Sequence, residues 1–301
     1  MLWKLPTIKL APDEIFKLFG LLPVTNTLLN TWLTIALLAT FFFFATRRRD
    51  LIPTGIQNLA EWAVESLISL TQGVAGKEKG KKFFPLVATF FIFILVCNLF
   101  DIIPGVDTIG TIDNEVLNTL HIHVTGPFLF GPASNALIPW IRPATTDLNL
   151  TIAMALIAVI TAQVFGFYTL GFKEHVGKYI NIKALKKLNF EGAVEFFVGI
   201  LEIISEIGRI LSLAFRLFGN IFAGSIVLAV FAFILPFVSD IIFIPFELFV
   251  AFVQAFVFAL LTLIYLSVAT SSHEHEEEEV HKQEAINAAQ PGEARPAAVT
   301  H

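Results

Sequence analysis

Five stretches of this chain are too long and too apolar to suit a water-soluble fold. Leu28 to Thr46, Phe83 to Ile103 and Leu150 to Phe172 each approach the roughly 20 residues that cross a bilayer core of about 30 Å. Two longer stretches follow, at 193–235 and 238–271. Only 15% of the residues are charged and 55% are hydrophobic, with 32 phenylalanines. A soluble domain carries about 25% charged residues, and it could not cover so much apolar surface. This excludes a disordered protein and predicts an all-α polytopic membrane protein with five crossings. One cysteine, Cys97, excludes a disulfide framework and cysteine-based zinc or iron–sulfur centres. Its apolar surroundings make it a small core residue. The net charge of −5 owes much to the tail between Glu274 and Glu284, so there is no general basic field for nucleic acid. The start, Met1-Leu2-Trp3-Lys4-Leu5-Pro6, lacks the pattern of a secretory signal.

Loop charges predict orientation. Segment 47–82 carries seven Lys or Arg and 173–190 carries five, whereas 104–148 carries Arg142 alone. The first two are therefore expected on the cytoplasmic side and 104–148 outside. The N-terminal segment 1–27 is then outside and the C-terminus cytoplasmic. Within 47–82, residues 56–74 form an amphipathic pattern. Ile56, Leu59, Ala60, Ala63, Leu67, Leu70 and Val74 share one helical face, opposite Gln57, Asn58, Glu61 and Glu65. Trp62 and Ile68 flank it, which suits a helix lying in the interface.

At about 1.5 Å per residue, 193–235 reaches about 65 Å, twice the hydrocarbon thickness. Gly199, Gly208, Gly219 and Gly224 offer bends, but no proline precedes Pro236. A long, steeply tilted helix is expected, paired with 238–271, which holds Pro245 in its first turns. Such a tilted hairpin, 193–271, suits a cylindrical partner. The residues after Ser272 form an acidic tail, 273–301, expected to be disordered. His273-Glu274-His275-Glu276 within it, and His121 and His123 in the outer loop, read as solvated residues and not as metal ligands.

Charges at membrane depth are costly and point to function. Stretch 193–235 holds Glu195, Glu202, Glu206, Arg209 and Arg216, with Ser205, Ser212 and Asn220. Measured from Glu202 at about 100° per residue, Glu206 falls at about 40°, Arg209 at −20°, Arg216 at −40° and Asn220 at 0°. They form one polar stripe. Arg216 lies among Leu211, Leu213, Phe215, Leu217, Phe218 and Ile221, with no acid one turn away. Since arginine does not release its proton in proteins, it is a fixed charge. On the last stretch Glu247 and Gln254, seven residues apart, share a face. Asn98 and Asp101 end the second span, and Asp147 and Asn149 begin the third. With Glu247 and Gln254 these could line a polar cavity open to the outside. Glu202, Ser205 and Glu206 could line another, open to the inside. A fixed positive charge between two such cavities stops ions passing straight through.

Arg216-Leu217-Phe218-Gly219-Asn220, followed by Ala223-Gly224, resembles the signature of subunit a of bacterial F-type ATP synthases. Gln254-Ala255-Phe256-Val257-Phe258 through Leu261-Thr262-Leu263-Ile264-Tyr265-Leu266-Ser267 resembles that family's last helix. Asn98-Leu99-Phe100-Asp101-Ile102-Ile103-Pro104 and Thr146-Asp147-Leu148-Asn149-Leu150-Thr151 resemble the end of its second span and the start of its third. The resemblance implies the stationary half of a rotary proton channel. Arg216 takes the place of the essential arginine and Gln254 that of the last-helix glutamine. Asn98, Asp101, Asp147 and Asn149 fall at outer half-channel positions, and Glu202, Ser205, Glu206 and Asn220 at inner ones. Where the family commonly pairs an acid with a histidine in the outer path, this chain has Ser225 and Glu247. The outer path is therefore expected to run through Glu247 with Ser225, or through water.

The implied partners are a ring of c subunits, each with a midmembrane carboxylate, the peripheral-stalk b subunits, the remaining F1Fo complex and the lipid bilayer. The chain would be no enzyme on its own but a membrane component of one, in the bacterial inner membrane. No cofactor or metal is expected, and without a GxxxxGK[ST] loop it would bind no nucleotide. Two rivals are a secondary ion antiporter and a non-conducting scaffold of a respiratory complex. The first would show repeats or broken helices, and the second would leave the polar stripe without a purpose.

Overall fold

The computed structural model describes residues 11–18, 22–47, 55–103, 106, 109–112, 137–171, 190–234 and 238–271. The outer loop's centre with His121 and His123, the segment 173–189 and the acidic tail lie outside the described residues. Among the described residues six α-helices carry the fold: α1 Asn26–Arg47, α2 Ile56–Ala75, α3 Lys77–Ile102, α4 Leu148–Leu170, α5 Phe190–Ile234 and α6 Val238–Ala269. Five of them, all but α2, are long and apolar enough to cross a membrane. The five-span, all-α expectation holds. Two short antiparallel ribbons accompany the helices, β1 Glu14–Leu18 with β2 Leu22–Thr25, and β3 Gly110–Ile112 with β4 Leu137–Pro139.

α1 is inside out by the standards of a soluble protein. Its buried face is Asn26, Thr27, Asn30 and Thr34, while Trp32, Leu33, Ile35, Leu37, Phe43 and Phe44 are exposed. In lipid the apolar face has a suitable solvent, and polar side chains gain by meeting partners inside. Thr25 Oγ1 accepts from the Leu28 backbone N–H at 3.3 Å and caps the helix start. Thr34 contacts Cys97 of α3, which is fully buried as expected.

The remaining helices close on two apolar clusters. One joins Phe90 and Ile94 of α3, Met154, Ala155 and Ala158 of α4, Leu213, Ala214 and Leu217 of α5, and Ala255 and Phe258 of α6. The other joins Phe83 and Val87, Ala162, and Ala259, Leu263 and Leu266. Alanines at 155, 158 and 162, and at 251, 255 and 259, recur at helical spacing on the buried faces. Small residues let helix backbones approach closely where lipid supplies no hydrophobic drive between them.

α2 turns into α3 through Gly76, whose φ of 78° suits glycine. A side chain at Gly80 would come within 2.7 Å of the backbone at Thr71 and Gln72, so only glycine permits the corner. α3 therefore begins at Lys77, ahead of the expected Phe83, and continues through Pro85. α2 packs one edge of its apolar face against the protein and leaves the rest uncovered. Ala60, Leu67 and Thr71 are inside, whereas Ile56, Leu59 and Val74 are 55%, 55% and 42% exposed.

α5 is one unbroken helix of 45 residues, despite its glycines. Its apolar span, Phe197–Phe231, has 35 residues and reaches about 52 Å at 1.5 Å per residue. It fits a hydrocarbon layer of about 30 Å only when steeply inclined. α6 likewise continues through Pro245 for 32 residues.

Candidate functional site: a polar seam between the last two helices

α5 and α6 run antiparallel. Asn220 meets Gln254, Gly224 meets Glu247, and Arg209 meets Tyr265, so rising numbers on one helix pair with falling numbers on the other. Two of these contacts involve Asn220 and Arg209 of the polar stripe on α5, and Gly224 lies one turn beyond Asn220. The helical repeat puts them on one line, and the apolar residues between them face lipid or the core.

Asn220 Nδ2 donates to Gln254 Oε1 at 2.7 Å, and Gln254 is only 4% exposed. One turn along α5 and two turns back along α6, Glu247 is buried, with Oε1 facing Gly224. Glu247, Asn220, Gly224 and Asn98 line a small shared cavity of about 10 Å³. Asn98, 1% exposed, accepts from Thr145 Oγ1 at 2.6 Å. The four residues come from α3, α5 and α6, so the fold gathers Asn98, Asn220, Glu247 and Gln254 into one cluster. Ser225 lies beside it on α5, and its hydroxyl donates to the Ile221 carbonyl at 3.0 Å.

Asp147 serves the helix first. Its Oδ1 accepts from the Asn149 backbone N–H at 2.9 Å, capping α4, and its Oδ2 accepts from Thr27 Oγ1 at 3.0 Å. The Asn149 side chain is exposed at the same end. Asp101 occupies the last turn of α3, and its side chain lies outside the described residues.

A second polar group lies further toward the start of α5. Glu206 and Arg209 form an ion pair one turn apart, and the Arg209 guanidinium stands 5.5 Å from the ring centre of Tyr265. Cation–π and ion-pair contacts both neutralise this arginine. Glu202 is half-buried and Ser205 exposed on the same stretch of α5.

Arg216 stands between the two groups. Its Nη2 donates to Ser212 Oγ at 3.2 Å. Among the described residues it makes no ion pair. Arg209 and Arg216 lie on the same apolar helix, yet among the described residues only Arg209 meets a carboxylate. A charge at membrane depth is costly, and Arg216 is partly exposed.

Tyr265, Thr145 and Gly224 belong to this arrangement but are not among the site residues expected from sequence, where Gly224 and Tyr265 figure only as a possible bend and as parts of motifs. Tyr265 had a legible signal: it lies eleven residues after Gln254, three helical turns along the same face. Thr145 had none, because it lies in the 3-10 turn Ala144–Thr146, outside any helical repeat. Among the described residues no group of His, Cys, Asp and Glu is arranged to hold a metal ion.

Comparison with known proteins agrees with this architecture. Residues 28–267 match the family described as ATP synthase A chain. The chain is similar to ATP synthase subunit a of Moorella thermoacetica, at 32% identity over 87% of this chain and 98% of that protein. It is also similar to ATP synthase subunit a of Geotalea uraniireducens, at 34% identity over 78% and 83% of the two chains. A third relative, ATP synthase subunit a of a Nitratiruptor species, is 30% identical over 87% and 98%. With a match spanning all five candidate membrane helices and relatives aligned over nearly their whole lengths, the chain belongs to the ATP synthase A chain family.

Proposed function

We propose that this chain is the stator of the proton channel in a rotary ATP synthase, with two offset half-channels separated by Arg216. The observation that carries the reading is Arg216 itself: a permanent charge on a membrane helix, partly exposed, and among the described residues hydrogen-bonded to Ser212 alone. A carboxylate on each subunit of a rotating c ring is the partner it lacks. Facing Arg216, such a carboxylate is held ionised, because an adjacent opposite charge favours the charged form. Once past it, the carboxylate takes a proton from the Glu247 side, travels through lipid as a neutral acid, and releases the proton toward Glu202, Ser205 and Glu206.

The outer half-channel is formed by Asn98, Glu247 and Gln254, with Ser225, Asp101, Asp147 and Asn149 around its mouth, and Asn220 belongs with Glu202, Ser205 and Glu206 to the inner one. Asn220 joins the two tracks, since it is one turn from Arg216 and bonded to Gln254. Segments 47–82 and 173–190 face the cytoplasm and 104–148 faces outside, following their basic residues. α2 lies in the cytoplasmic interface, with Trp62, 67% exposed, at headgroup level. The c ring meets the exposed side of α5, the b subunits hold the stator, and the rest of the F1Fo complex makes ATP.

Glu247→Gln tests the outer path. An amide of the same shape cannot cycle a proton, so proton uptake and proton-driven ATP synthesis slow in a fully assembled complex. Glu247→His retains part of the activity, because imidazole relays protons. Unchanged synthesis by Glu247→Gln at matched assembly would refute a relay through this residue.

A further inference from the structure

Asn98 is held at one end only. Its Oδ1 accepts from the Thr145 hydroxyl, and both side chains are 1% exposed or less. Its Nδ2 is buried and has no hydrogen-bond partner among the described residues. Buried amide hydrogens are rarely left that way. Asn98 lines the cavity shared with Glu247, Asn220 and Gly224, and at about 10 Å³ that cavity matches one water.

We infer that Thr145 is a positioning residue for proton uptake: it fixes the Asn98 amide so that Nδ2 holds one water against Glu247. The inference rests on the outer path proposed above. An amide has two ends of opposite character. With Oδ1 tied to the Thr145 hydroxyl, the donor end faces the cavity. Nδ2 then donates to the water oxygen, which turns a water hydrogen toward the Glu247 carboxylate. Reversed, the amide would present its own oxygen to the carboxylate, acceptor against acceptor, and the water would lose its orientation. In the transfer step an O–H bond of the water breaks as the Glu247 O–H forms. The water regains its proton from the solvent that feeds the half-channel.

Thr145 is held firmly enough for this role. Its turn is fastened to α1 on both sides, by Asn30 Nδ2 donating to the Arg142 carbonyl at 3.0 Å and by Thr27 on Asp147. The next residue, Thr146, donates to the Pro143 carbonyl at 2.7 Å. The hydroxyl therefore sits on a pinned turn, and its bond to Asn98 does not depend on a mobile segment.

The test is proton flux through the whole complex in sodium-free vesicles, measured against the outer proton concentration at matched assembly. Thr145→Val keeps the shape and removes the hydroxyl. Thr145→Ala makes the same deletion should the valine variant not assemble. A net hydrogen bond is worth up to about tenfold, so either variant raises the proton concentration for half-maximal flux by about three- to tenfold. Thr145→Ser keeps the hydroxyl and restores the wild-type value. A serine variant shifted as far as the valine variant would overturn the inference, because loss of packing would then be the cause. Asn98→Leu separates the two levels. If Asn98→Leu shifts the curve and Thr145→Val does not, the positioning role is wrong and the path stands. If Asn98→Leu leaves the curve unchanged, the path through this cavity is wrong as well.

Discussion

Gly224 is the one position on α5 where side-chain size should govern proton flux. A Cβ built there lies 3.4 Å from Glu247 Oε1, which is ordinary van der Waals contact. Alanine gains about 0.5–1 kcal/mol of helix stability over glycine and can be accommodated at that distance. A valine extends about 1.5 Å further and must push the carboxylate aside or part the helices. Overpacking of this kind costs about 1–3 kcal/mol. If that cost falls on the proton-accepting geometry, at about 1.4 kcal/mol per tenfold, flux falls about 5- to 150-fold. The expected order is therefore glycine, then alanine, then valine. Gly73→Ala on α2, where a Cβ meets nothing within 4 Å, serves as a control with unchanged flux. Aspartate is one methylene shorter than glutamate, so Gly224→Val should conduct better beside Glu247→Asp than beside Glu247. The assay is proton-driven ATP synthesis in vesicles normalised to assembled complex. Wild-type flux by Gly224→Val, or no difference between the two acids in that background, would refute the steric coupling.

Two further predictions concern the frame. A cysteine introduced at Thr125 should label only from outside and one at Ala184 only from the cytoplasm, and reversed labelling would overturn the orientation and both half-channel assignments. Phe258, 2% exposed and set edge-to-face with Phe90 at a centroid distance of 5.4 Å, joins α6 to α3. Phe258→Ala should cost about 3–5 kcal/mol and lower the thermal midpoint of the detergent-solubilised complex, and an unchanged midpoint would remove this pair from the core.

The five spans were legible because lipid imposes one demand, a long apolar run, that a single sequence displays openly. The polar stripe of α5 was legible for a related reason: Glu202, Glu206, Arg209, Arg216 and Asn220 stand out against their apolar neighbours at helical spacing. What escaped the sequence depends on how separate elements meet. Periodicity marks the apolar face of α2, but which edge of it packs on the protein, Ala60, Leu67 and the adjoining Thr71, emerges only beside α3. The inside-out character of α1 was visible in Asn26, Asn30 and Thr34 at four-residue intervals, but only packing says that this polar edge faces inward. The difference between Arg209 and Arg216 was only partly legible from spacing. Glu206 lies three residues before Arg209, whereas Tyr265 reaches it from the other helix. Thr145 becomes visible only when its turn is seen beside α3.

The central claim is that Arg216 is both the barrier between two half-channels and the counter-charge for a passing carboxylate. One elementary charge crossing the membrane potential is worth about 2.3 kcal/mol per 100 mV, and a direct leak between the half-channels would waste it. Arg216→Lys keeps a charge but loses the planar fork, and its proton can be lost on burial, so it too should be severely impaired. The decisive measurement is passive proton flux and coupled ATP synthesis, side by side, in vesicles holding equal amounts of assembled Arg216→Ala and wild-type complex. The account predicts that the alanine complex leaks protons and makes no ATP. Normal coupled synthesis by Arg216→Ala would contradict it.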